Sequence, residues 1–202
     1  MFKRITLSSV RLVILFLLAV AVLSSVSRAQ APIFVITPQG STIKFSVKAS
    51  VAIAGTFDKW DATLTFTSPD VTTGALNIRI QADSVNTGSG IKDGKLKGKD
   101  FFDVKQNPVI TFLSKKIVQT GPETFEVDGD FAIRGVSKPE KLTLTVSGKG
   151  TGSGAITGTM AFDRKDYGMN KGIPFVKIAD RVEVTVDLKG KRVGGPPVNF
   201  KQ

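Results

Sequence analysis

From Ala31 onward, apolar and polar residues alternate with a period of two, the spacing that turns one side of an extended strand toward a core and the other toward water. Ile43, Phe45 and Val47 are separated by Lys44 and Ser46; Trp60, Ala62, Leu64 and Phe66 by Asp61, Thr63 and Thr65. The alternation runs on through Leu76, Ile78, Ile80 and Ala82, and resumes around Ile110 and Phe112. Phe125, Val127, Phe131 and Ile133 continue it, with Gly129 marking either a bend in one strand or the break between two. Leu142, Leu144 and Val146 follow, then Ile156, Met160 and Phe162, and finally Val182, Val184, Val186 and Leu188. The pattern predicts about eight or nine strands parted by Gly, Pro, Asn and Asp signals.

Two stretches break the alternation. Ser89 to Lys99 sets Ile91 and Leu96 among Lys, Asp and Gly, which predicts a short helix or ordered loop with a small apolar face. Asp163 to Lys177 is a long connection containing Tyr167, Gly168, Met169, Gly172 and Pro174, and long loops in compact β domains are often functional. Gly194 to Gln202, rich in Gly and Pro, is expected to be a flexible tail. Consecutive antiparallel strands with one apolar face close into a barrel or pack as a sandwich, so the fold class is all-β. The inward candidates include Phe45, Trp60, Phe66, Phe112, Phe131 and Phe162. A barrel of about eight strands is wide enough either to be filled by such side chains or to hold one ligand.

The N-terminus reads differently. Lys3, Arg4 and Arg11 precede an uninterrupted apolar run from Leu12 to Leu23, too short for a bilayer span and right for a cleavable export signal. Small residues at Ser27 and Ala29 place the cut before Gln30, so residues 1–29 are expected to be a signal peptide and residues 30–193 one domain. The formal charge of +11 falls by the four basic residues Lys3, Arg4, Arg11 and Arg28 to +7. Small basic clusters remain at Lys92, Lys95, Lys97 and Lys99 and at Lys189, Lys191 and Arg192, without the interleaved aromatics that stack bases. Transient contact with an anionic membrane surface fits this charge better than nucleic acid does.

The chain contains neither His nor Cys. That excludes Ser-His-Asp and Cys-His nucleophile systems, disulfides, and the usual zinc and copper ligand sets. No D-x-D-x-D-G calcium loop and no cofactor motif is present. Any acid or base would be Asp, Glu, Lys or the single Tyr.

Arg164 continues the register of Ile156, Met160 and Phe162, which points it toward the apolar interior. A buried guanidinium requires a partner whose geometry matches its planar fork. Asp93 and Asp166 are candidates for an internal salt bridge; alternatively Arg164, with Lys95, meets the polar headgroup of a ligand whose tail lies inside.

Asp93-Gly-Lys-Leu-Lys-Gly-Lys-Asp100-Phe101-Phe102-Asp103, with Asn107-Pro108-Val109-Ile110-Thr111-Phe112, resembles the R-D-x-H-L…D-F-F-D…P-x-I-x-F stretch of the YceI-like family. Gly129 to Pro139 resembles the family's G-x-L-x-I-R-G-V-T-K-P element, and Arg164-Lys-Asp-Tyr-Gly168 its R-x-D-[FY]-G motif. The resemblance runs from about Phe34 to Val193, with two departures: Lys92 and Lys95 stand where the family often has Arg and His, and no His follows the first long strand near Ala49. It implies a lipocalin-like antiparallel β-barrel with one short helical insertion, periplasmic or secreted, that binds a polyisoprenoid or similar amphiphilic lipid such as an isoprenoid quinone or fatty-acid-like chain.

On that reading the candidate ligand-binding residues are Phe45, Trp60, Asp93, Lys95, Leu96, Phe101, Phe112, Phe131, Phe162, Arg164 and Tyr167. Adjacent aromatics Phe101 and Phe102 are also the kind of residue that plugs a barrel as core. The leading expectation is a non-enzymatic carrier or store for such a lipid. The competing ones are an enzyme acting on an isoprenoid or quinone-like substrate, with Tyr167 or Asp93 as acid or base and Arg164 stabilising negative charge, and a stress-related surface-interaction protein for which the barrel is only a scaffold. A homodimer of barrels is compatible with the sequence.

Overall fold

Strand β1 (Ile33–Ala49) is 17 residues long and pairs antiparallel with β10 (Ile178–Gly194), from Ile33 opposite Gly194 to Ala49 opposite Ile178. The ladder skips between Thr37 and Thr42, where Pro38 has no N–H to give and Gly40 takes a φ of 75°. The buried Ser41 hydroxyl mends the gap, accepting from the Lys189 N–H at 2.8 Å and donating to the Thr37 carbonyl. This Pro-Gln-Gly run hides the first third of the strand from a simple alternation count.

The remaining strands are β2 (Ile53–Phe57), β3 (Trp60–Thr65), β4 (Ala75–Gln81), β5 (Val85–Asn86), β6 (Val109–Gln119), β7 (Thr124–Ile133), β8 (Val136–Ser147) and β9 (Ser153–Asp163), with one helix, α1 (Gly90–Lys97), after β5. This computed structural model describes residues 30–50, 53–172 and 175–201; the segment expected to be an export signal, and Pro174, lie outside them. Eight strands close a ring in the order β1-β10-β9-β8-β7-β6-β4-β3, and β3 returns to β1 at the Ile33–Thr65 pair. The other half of that edge of β1 is taken by β2, which pairs in turn with β5. The result is an all-β antiparallel barrel with, among the described residues, one short α-helix. Phe125 to Ile133 is one strand, not two.

Whether the barrel is solid or hollow has a divided answer. Ile78, Phe112, Val127, Leu142, Val186 and Leu188 are almost fully buried and border no cavity. They form a filled waist. Gly129 belongs to it by omission, since a Cβ there would lie 2.7 Å from the Phe112 ring and 2.7 Å from the Leu113 carbonyl oxygen. Gly158 does the same for Leu144 and Val186, with a Cβ 2.4 and 2.9 Å from their methyls. Above and below the waist lie separate cavities of about 440 and 110 Å³.

The smaller cavity is covered by the segment expected to be a flexible tail. Asn199 pairs with Asp70 in a short parallel bridge, donating to Pro69 at 2.7 Å and accepting from Val71 at 3.1 Å. Phe200 stacks edge-on against Phe125, with ring centroids 6.0 Å apart. Here backbone pairing and one aromatic anchor override the Gly- and Pro-rich composition.

At the opposite end β8 and β9 part company. Their ladder runs only from Ser147–Ala155 to Thr143–Thr159, leaving the last residues of β9 without a β8 partner. A 3-10 turn, Arg164–Tyr167, follows β9 and sends Tyr167 into the space. Its ring is fully buried against Phe131 and Phe162, at centroid distances of 5.5 and 5.2 Å, and its hydroxyl donates to Glu140 Oε1 at 2.9 Å. Burial, and then the Glu140 hydrogen bond, push the phenol well above its ordinary value.

Two outcomes follow for stability and titration. Gly129→Ala is expected to lower stability in urea unfolding by about 1–3 kcal/mol through overpacking, and adding Phe112→Leu is expected to recover part of the loss. Unchanged stability in the single variant contradicts the close approach at the waist. Because the folded pKa of Tyr167 is raised, its contribution is present below the ordinary value of about 10 and lost only as pH rises through the higher one. Absorbance at 295 nm is therefore expected to stay flat through about pH 10 and to rise only with alkaline unfolding; a tyrosinate band at that pH with the fold intact refutes the assignment.

Candidate ligand-binding site

The larger cavity occupies the end of the barrel capped by α1. Its volume of about 440 Å³ falls in the range of roughly 300–1,000 Å³ common for small-molecule sites. Inward positions of the strands build its walls: Ile43, Phe45 and Val47 from β1, Ile53 and Phe57 from β2, Phe131 and Ile133 from β7, Phe162 from β9, and Val182 and Val184 from β10. Phe45 and Phe131 stand on strands four places apart in either direction around the ring, so they face each other across it. Leu96 from α1, with Phe101 and Phe102 just beyond the helix, completes the apolar lining. Only Lys92, Lys95 and Arg164 bring charge to it.

Two aromatic groups stiffen opposite sides. Phe45, Phe57 and Phe102 meet at centroid distances of 5.6, 5.9 and 6.4 Å. Phe131 and Phe162 meet at 5.0 Å, with Tyr167 packed behind both. Phe101 and Phe102 thus serve both expectations, being buried core residues whose exposed faces are cavity wall.

Arg164 is buried as its register predicts, but its partners are neither Asp93 nor Asp166. Nη2 donates to Asp180 at 3.0 Å, Nε to the Ala179 carbonyl at 3.2 Å, and Nη1 to the carbonyls of Lys171 at 2.9 Å and of Met169. Four of its five N–H donors are engaged by the loop it belongs to and by the start of β10. Lys165 reaches the other Asp180 oxygen at 2.7 Å. The Lys165 hydrogen bond first, and the charges of Lys165 and Arg164 with it, hold that carboxyl below the usual range.

The two rejected partners are satisfied elsewhere. Asp93 accepts from the Thr87 N–H at 2.8 Å and hydroxyl at 2.6 Å, tying α1 to the segment before it and lowering the Asp93 pKa. Asp166 pairs with Lys138 at 3.1 Å.

A second arginine, Arg134 of the Gly129 to Pro139 element, links three segments at this end although it is not among the expected site residues. Arg134 sits in the two-residue turn between β7 and β8, where its φ of 55° and the 73° of Gly135 give the left-handed pair typical of tight hairpins. Its Nη1 donates to the Gly168 carbonyl at 2.7 Å and its Nη2 to the Lys99 carbonyl at 2.9 Å. Gly168 is required there, because its φ is 74° and a Cβ would lie 2.5 Å from Nη1.

Of the residues expected to contact a ligand, Phe45, Lys95, Leu96, Phe101, Phe131, Phe162 and Arg164 do line the cavity. Trp60, Asp93, Phe112 and Tyr167 do not. Trp60 packs partly buried on β3, Phe112 is in the waist, and Asp93 and Tyr167 hold secondary structure together. Neither acid-base candidate therefore borders the cavity. No cluster of three or more Asp or Glu that could hold a metal ion occurs among the described residues.

A family model described as the YceI-like domain matches residues 34–190. A UPF0312 protein of Pseudomonas savastanoi pv. phaseolicola is 30% identical over 156 residues, covering 73% of this chain and 81% of the relative. The crystal structure of Burkholderia cenocepacia BcnA superposes with a TM-score of 0.69 at 24% identity, covering 76% of this chain and 98% of the other. A polyisoprenoid binding domain from Saccharophagus degradans, implicated in plant cell wall breakdown, shares the fold at a TM-score of 0.60 and 15% identity, covering 80% and 99%. Family match, relative and barrel agree, and this chain belongs to the YceI-like domain family.

Proposed function

We propose that this is an exported, non-enzymatic carrier or store for a polyisoprenoid or comparable long-chain amphiphile, held with its apolar chain in the large cavity. One observation supports this above the others: a chamber of about 440 Å³ whose walls are apolar throughout, with charge confined to Lys92, Lys95 and Arg164. Each buried CH₂ contributes about 0.8 kcal/mol, so a chain of about ten such groups reaches micromolar affinity with no polar contact. The shared fold with a polyisoprenoid binding domain supports the ligand class. Lys95, half-exposed and paired with Asp100 at 3.0 Å, can turn an N–H toward a headgroup, whereas Arg164 serves chiefly to hold the loop beside it. The N-terminal basic and apolar segment supports export.

Native mass spectrometry of protein recovered from its own organism is expected to show a species heavier than the chain by one lipid, and N-terminal sequencing to begin at Gln30. Val184→Trp, which fills the cavity from β10, is expected to abolish the heavier species while the circular dichroism spectrum is kept. Consistently empty wild-type protein, or a lipid retained by the filled variant, defeats the proposal.

A further inference from the structure

The rim of the large cavity carries two apolar side chains with nothing to pack against. Ile91, at the start of α1, borders the cavity yet is 88% exposed. Phe175 is fully exposed on the opposite loop, next to Val176, which lines the same cavity. Phe175 also holds a φ of 64°, a left-handed conformation unfavourable for a bulky residue. An aromatic ring in water on a strained backbone gains nothing inside this domain.

On the segments that carry these two residues, 89–100 and 168–178, six lysines stand against two aspartates, Asp93 and Asp100. Asp100 donates no surplus negative charge: it binds Lys95, and the further charges of Lys95, Lys99 and Lys171 also lower its pKa. Lysines from the helix side and from the loop side therefore converge on a single carboxylate. Asp93, bonded to the neutral Thr87, keeps its charge beside Lys97, whereas Asp180 is paired with Arg164 and Lys165. Among the described residues Lys97, Lys99, Lys171 and Lys177 enter no salt bridge, and the last three are exposed.

We infer that this rim is a membrane-docking surface, on which Ile91 and Phe175 enter the headgroup region of an anionic phospholipid bilayer while the surrounding lysines meet its phosphates. Apolar side chains flanked by lysines are the composition of an interfacial anchor, and the two parts act together. The inference rests on the proposed lipid cargo only in its purpose: docking here brings the cavity mouth, rather than the side of the barrel, against the bilayer.

The chain from Gln30 onward, which holds every strand of the barrel, is tested by flotation with phosphatidylcholine vesicles, with and without phosphatidylglycerol. Binding is expected to the anionic vesicles alone and to fall with added salt. Phe175→Asn, which suits a positive φ, and separately Lys171→Gln with Lys177→Gln, are each expected to weaken partitioning by about tenfold at unchanged thermal stability. Equal binding to both vesicle types, or variants that float like the wild type, overturns the docking surface. Lipid content measured on the same variants separates the two ideas. Lost flotation with the cargo retained supports docking; wild-type flotation by a protein that carries no lipid supports docking and leaves the cargo reading to fall alone.

Discussion

The first and last strands of this domain lie side by side, and the barrel exists only because they do. β1 and β10 pair over nearly their whole lengths, so the ring closes through contacts between residues some 130 to 160 positions apart in sequence. Such closure carries a large loop entropy that the intervening hairpins reduce, each adding a neighbour to the growing sheet before the ends meet. The Ser41 hydroxyl matters out of proportion to its size, since it carries the ladder past the one place where β1 cannot pair.

Closure also sets what each end of the barrel can be. Around the middle, Phe112 lies on the bare backbone at Gly129, and Leu144 and Val186 crowd Gly158. Toward the helix the ring admits β2 and β5 beside β1, β8 and β9 separate, and large aromatics line the walls without filling the space between. Two arginines keep that wider end in shape, each by binding backbone carbonyls rather than by forming an isolated ion pair. The contacts between guanidinium and backbone carbonyl keep these loops in place over a broad pH range, because neither group titrates there, and the Arg164–Asp180 pair adds to them while the carboxylate stays ionised.

Strand identity was legible because a period of two survives in nearly every element, and burial of Arg164 was legible for the same reason. Its partner was not: Asp180 lies across a long loop, at the start of the next strand, and spacing alone favoured the nearer carboxylates. Phe112 and Phe131 are indistinguishable by pattern, being one register pair on adjacent strands, yet one fills the waist and the other lines the chamber. Height along the barrel axis depends on strand stagger, which no single-strand pattern encodes. Trp60 failed for a related reason, since β3 meets β1 at a single residue pair and its inward face stays half-covered. Arg134 left no hydrophobic signal at all; its place before Gly135, within the family-like Gly129 to Pro139 element, marked the turn but not the carbonyls it binds.

The filled waist has a consequence for traffic. It separates the two cavities, so on the proposed carrier reading a chain held in the upper chamber does not pass through the barrel but enters and leaves at the helix end. On that reading loading and unloading are the same path run in opposite directions. What would then decide between them is the solvent or surface that this end faces.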